Sequence, residues 1–103
     1  LRKYYKQHNP NSVCCACGLN TSERYPWVDY MLDTHHLLPL SSNVAISSRG
    51  TSLTDIVGLC PSYHRAVHMY YKKWLKENNQ EDFKSKEEAR KVYEQSIKEI
   101  VLP

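Results

Sequence analysis

Two histidines stand side by side in "DTHHLLPLSS" (residues 33–42), and two more lie four apart in "CPSYHRAVH" (residues 60–68). Neutral imidazole ligates divalent cations, and with an ordinary pKa near ~6.5 it also serves as a general base at physiological pH. A spacing of four on a helix puts His64 and His68 on one face about a turn apart, close enough to close on one ion. Alone, that pair reads as two partly buried core histidines bonded to backbone. A third imidazole reverses the reading, and His35 or His36 offers it. Successive strand residues point to opposite faces, so regular geometry lets only one of the two join the ion. Its neighbour is then free to take a proton from water attacking an ester, while three protein ligands leave positions open for a substrate oxygen and a leaving group.

The elements that must position these groups follow from pattern. "LRKYYKQH" reads as the end of a basic helix, and a first residue Leu1 suggests a domain cut from a longer protein. "NPNSVCCACGLNTSERYP" is an irregular knuckle or loop. Rough alternation predicts a strand from about Val28 to Leu37, a long polar loop in "PLSSNVAISSRGTS", and a second strand from Leu53 to Cys60 that pairs with the first. Pro61 suits the first position of a helix running to about Glu77, with Val67, Tyr70, Tyr71, Trp74 and Leu75 as its buried stripe. "KENNQEDFK" breaks that helix. Ser85 and Glu88 match a capping box for a last helix, about 85–101, carrying Ala89, Val92, Tyr93, Ile97 and Ile100 inward. The expectation is one α+β domain over 1–103, with a core of about 14–78 built as strand, loop, strand, helix and flanked by helices at both ends. Tyr4, Tyr5, Trp27 and Trp74 are expected in the core rather than as stacking platforms.

Four cysteines, Cys14, Cys15, Cys17 and Cys60, accompany no apolar run long enough for a signal peptide or membrane span. The thiols therefore read as metal ligands or core rather than disulfides, in a cytoplasmic protein with no membrane partner. Net charge is +3, unevenly spread: residues 1–6 carry three bases and no acid, 7–71 three bases against four acids, and 72–103 eight bases against seven acids. The histidine-bearing middle suits a cation, and the flanks suit a polyanion. Arg65 is a candidate phosphate contact through its forked guanidinium, with Lys72, Lys73 and Lys76 extending a basic edge along the same helix.

"DTHHLLPLSS", "TDIVGLC" and "CPSYHRAVH", in that order, resemble the signature of HNH nucleases over roughly residues 14–68. The resemblance implies a ββα-metal (His-Me finger) fold in which two strands and a helix clasp one divalent cation, Mg, Mn, Co, Ni or Zn. It implies that His35, His64 and His68 ligate the metal and that His36 is the general base. Asp55 falls where the family's middle Asn helps hold the loop and orient the base; Asp accepts those hydrogen bonds but cannot donate as an amide does. Asp33 stands open between a carboxylate bonded to a ligand histidine and a surface acid. Many family members also carry two Cys-x-x-Cys pairs binding structural zinc. Here Cys14, Cys17 and Cys60 match three positions, Tyr63 occupies the fourth, and Cys15, His8 or a water is left to complete the site.

The resemblance implies a metal-dependent DNA endonuclease, closest to the cleavage domain of McrA-like modification-dependent restriction enzymes. An upstream domain would read the modified base, and a homodimeric parent would cut both strands. Two other readings compete: a non-catalytic metal-stabilised DNA-binding or interaction module with a degenerate site, motivated by Asp55 and Tyr63, and a zinc-only interaction domain.

Overall fold

The computed structural model describes residues 2–37 and 55–101 of the 103. The long polar loop and the start of the second strand, Leu53 and Thr54, lie outside the described residues. Within them the chain forms a short basic helix α1 (Arg2–His8), a single turn α2 (Thr21–Arg24), strands β1 (Asp33–His36) and β2 (Ile56–Leu59), and helices α3 (Pro61–Glu77) and α4 (Lys86–Lys98). The architecture is α+β, an antiparallel pair of strands followed by a helix. None of these helices is long and apolar enough to cross a membrane.

The strands pair with Asp33 opposite Leu59, Thr34 opposite Gly58, His35 opposite Val57 and His36 opposite Ile56. Alternation then gives the sheet two distinct faces. Asp33, His35 and Leu37 look toward α3, whereas Leu32 lies on the face of Gly58 and packs with the buried Tyr5 of α1. At Gly58 an added Cβ would sit 2.9 Å from the Tyr5 ring and 3.0 Å from a Leu32 methyl. Both main-chain groups of Gly58 turn outward: its N–H donates to the Tyr5 hydroxyl (2.7 Å) and its C=O accepts from the Cys15 N–H (2.9 Å). The outer edge of β2 is thereby covered by the N-terminal segment.

β1 is shorter than the expected strand from Val28. Ahead of it the chain is bonded elsewhere, with the Val28 N–H on the Tyr25 C=O and the Met31 N–H on the Ser12 hydroxyl. With a partner strand only four residues long, no ladder is left for residues 28–32. The turn α2 was not anticipated, although "NTSE" carried its signal: the Asn20 side chain caps it by accepting from the Ser22 and Glu23 N–H groups. Trp27 is a correction, since it is 82 % exposed and packs edge-on against the Tyr25 ring. Tyr5 is buried and Trp74 packs partly buried on the core; the Tyr4 side chain lies outside what is described.

α3 spans the expected residues, with Pro61 in its first turn and Val67 and Tyr71 fully buried. In α4, Ser85 caps the helix by accepting from the Glu88 N–H, while the Glu88 carboxylate accepts from the Lys84 N–H, one residue ahead of a standard capping box. Ala89, Val92 and Tyr93 enter the core beside Leu37, Leu59, Val67, Tyr71 and Phe83. Polar ties reinforce the α3–α4 contact: Tyr63 meets Ser96 at 2.5 Å, and the Tyr70 hydroxyl donates to Glu99.

Candidate metal centre

β1 delivers His35 into the molecule, 1 % exposed, and one face of α3 delivers His64 and His68 to it. The ring centroids lie 5.3 Å (His35 to His64), 5.1 Å (His35 to His68) and 5.0 Å (His64 to His68) apart. One ligand nitrogen from each falls within 4.8 Å of the others. The Nε2 atoms of His64 and His68 are separated by 3.3 Å, close to the roughly 3.3 Å edge of a tetrahedron with metal–nitrogen bonds of 2.0–2.1 Å.

Nε2 of His64 is left facing inward because its Nδ1–H donates to Asp33 Oδ2 at 3.0 Å. Asp33 thus orients a candidate ligand, the arrangement by which a carboxylate fixes the tautomer of a metal-binding histidine. His35 Nδ1 is buried with no protein partner among the described residues. An unpaired buried polar atom costs about 1–3 kcal/mol, and a lone pair in that position suits a cation. Burial, then the charges that His68, His64 and His36 would carry if protonated, pulls His35 down to about 3. Burial, then His64 and Lys72, lowers His68. Both rings are accordingly held neutral, the form that ligates.

His36, one residue on, is outside this group. It projects from the opposite face of β1, opposite Ile56, half-buried and with a buried Nδ1 that has no partner among the described residues. Strand alternation therefore divides the adjacent pair. Asp55 closes the neck of the strand pair through its main chain, its C=O accepting from the Leu37 N–H at 2.9 Å. Its carboxylate reaches toward α4, 3.5 Å from Lys86 and 3.9 Å from Arg90. Arg65 is exposed on α3, as are Lys72, Lys73 and Lys76, with Lys73 paired to Glu77 and lying over the Tyr70 ring.

Comparison with known proteins supplies no relative. No family model, curated protein or solved structure matches the chain.

A second group gathers Cys14 and Cys17 from the knuckle with Cys60 at the start of α3. Cys17 and Cys60 sulfurs stand 3.8 Å apart, about the ~3.8 Å edge of a tetrahedron with zinc–sulfur bonds of 2.3 Å. Gly18 makes the knuckle turn at φ +76°, its N–H returning to the Cys14 C=O. Burial raises the Cys14 thiol, but N–H groups of Cys17, Cys60 and Ala16 outweigh it and hold the group below 9.0. Burial pushes Cys60 up to about 11. Tyr63, at the fourth position of the pattern, is bonded to Ser96; of the residues expected to complete the site, Cys15 is exposed with its sulfur 3.4 Å from the Tyr5 hydroxyl, and His8 is not in the group.

Tyr71 is the contact that spacing did not single out as functional. Its hydroxyl lies 3.0 Å from His35 Nε2. The available signal was its place three residues after His68 and seven after His64, on the same helical face.

Proposed function

We propose that this chain is the catalytic domain of a metal-dependent DNA endonuclease of the HNH, ββα-metal kind. The observation that carries the reading is the meeting of His35 with His64 and His68 while His36, its immediate neighbour, is kept out of the cluster. One divalent cation, Mg, Mn, Co, Ni or Zn, is held by the three imidazoles. When bound it supplies Lewis-acid stabilisation of charge on the phosphate and the departing oxygen. His36 takes the proton from the attacking water as general base. Asp33 holds the His64 ring in register, and exposed Arg65, with Lys72 and Lys76 further along α3, meets the phosphate backbone. Cys14, Cys17 and Cys60 would hold a structural zinc, which would draw the protons from their thiols. Resemblance favours a restriction enzyme whose upstream domain selects modified DNA and whose parent is a homodimer in the cytoplasm.

A second reading, a non-catalytic metal-stabilised module that binds DNA or a partner, is favoured by Asp55. Its carboxylate is engaged by Lys86 and Arg90, leaving the role of the family's middle Asn to its main chain. Nicking of supercoiled plasmid with each of the five cations separates the two readings. The nuclease reading expects metal-dependent nicking that falls at least about 100-fold in His36→Ala, the usual contribution of a general base. Equal inactivity of wild type and His36→Ala with every cation, in the full-length protein as well, leaves the binding module.

A further inference from the structure

The His35 ring packs against two tyrosines as well as the two helical histidines. His64 and His68 meet it edge-on, at interplanar angles of 69° and 82°. The Tyr71 ring lies more nearly parallel to it, 5.7 Å away at 35°, and Tyr93 does the same at 6.0 Å and 31°. Within this packing Nε2 is engaged by the Tyr71 hydroxyl at 3.0 Å. Nδ1 is the buried nitrogen left without a protein partner among the described residues.

We propose that Tyr71 is a positioning residue of the histidine centre, holding His35 by Nε2 so that Nδ1 is the atom offered to a divalent cation. This rests on the metal-centre reading above. A neutral imidazole carries one N–H, so the hydrogen bond has two possible senses. If Tyr71 donates to Nε2, the ring proton sits on Nδ1. If Nε2–H donates to the Tyr71 oxygen, the Nδ1 lone pair is free. Only the second arrangement admits a cation on Nδ1, so loading the site places the ring proton on Nε2 and makes Tyr71 the acceptor. The ring gives up the Nδ1 proton and takes one at Nε2, so its net protonation is unchanged. The hydroxyl is suited to this because it can both donate and accept, whereas the Asp33 carboxylate on His64 only accepts and fixes one tautomer throughout. The two ligands are thus held by partners of different kinds: His64 by an anion, His35 by a neutral group that adapts.

The test uses the full chain labelled with nitrogen-15, titrated with Zn²⁺ and followed by long-range proton–nitrogen spectra of the histidine rings, which report this centre separately from the thiolates. The expected loaded state has His35 coordinated through Nδ1 with Nε2 protonated. Tyr71→Phe keeps the ring in the core and removes only the hydroxyl. It is expected to weaken zinc at the histidine centre by about 10–100-fold, the usual loss when a ligand's hydrogen-bonding partner is removed, and to leave His35 without a single defined tautomer. Coordination of His35 through Nε2 in the wild type overturns the proposal even should the variant fold poorly. Unchanged affinity and an unchanged His35 spectrum in Tyr71→Phe also overturn it. If His64 and His68 respond to zinc while His35 uses Nε2, Tyr71 alone loses its role. If no histidine ring responds, the metal-centre reading fails and the proposal with it.

Discussion

Neutrality is the condition under which three imidazoles tolerate one another at ring separations near 5 Å. His35 meets it through burial first and the neighbouring histidines second, which bring it from 6.5 to about 3; His68 is shifted the same way. An unfolded chain binds protons that the folded one refuses between about 3 and 6.5. The stability this contributes is complete above 6.5 and is lost as pH falls toward 3. In chelator-treated protein the urea midpoint should therefore fall between pH 7 and pH 5, above the range in which ordinary carboxylates titrate. A flat midpoint across that interval would contradict the burial of neutral His35. His64 and His68 were legible in the sequence because their relation is local, a turn of one helix. Alternation showed that His35 and His36 must part but not which faces inward. The place of Tyr71 on the histidine face was legible too, but its bond to His35 was not, because that bond spans 36 residues and depends on how the helix lies on the strand.

Element by element, legibility follows what sets each boundary. α3 starts where Pro61 fits a first turn, and α4 starts at a capping serine, so both helix starts are written locally. β1 is trimmed at its start by the short partner and by bonds from the preceding segment to the knuckle, none of which a periodicity expresses. Gly58 belongs to the same class. It sits mid-strand where a side chain would be favoured, yet the space a Cβ needs is filled by Tyr5 and Leu32. Gly58→Ala is expected to destabilise by about 1–3 kcal/mol, as overpacking does, measured by thermal or chemical unfolding. Unaltered stability would mean that the Tyr5 ring gives way at no cost.

At the scale of the whole molecule, the last helix is more than a flank. Tyr93 stacks behind His35, Lys86 and Arg90 hold Asp55 at the neck of the strands, and Ser96 and Glu99 fasten α3. The charge and helix pattern predicted α4, but its place as the back wall of the histidine centre comes from packing. A chain this short gains from a metal staple, and both candidate centres join segments distant in sequence. With free zinc at ~100 times its dissociation constant the gain is about 2.7 kcal/mol, or roughly 10 °C or more in the thermal midpoint for this size. Chelation should lower the midpoint by that amount for each occupied centre, with His68→Ala and Cys17→Ser each removing one centre's share; a midpoint indifferent to chelator means that neither group holds an ion. The strand register has a further meaning for the adjacent histidines. A slip of one residue turns every side chain of β1 to the other face, which would send His36 to the cluster and His35 away. The same slip would drive the Asp33 carboxylate against Tyr5 and withdraw Leu32 from the space beside Gly58. Two chemically identical neighbours are therefore told apart by residues outside the histidine group: an acid, a leucine and a missing side chain decide which imidazole joins it.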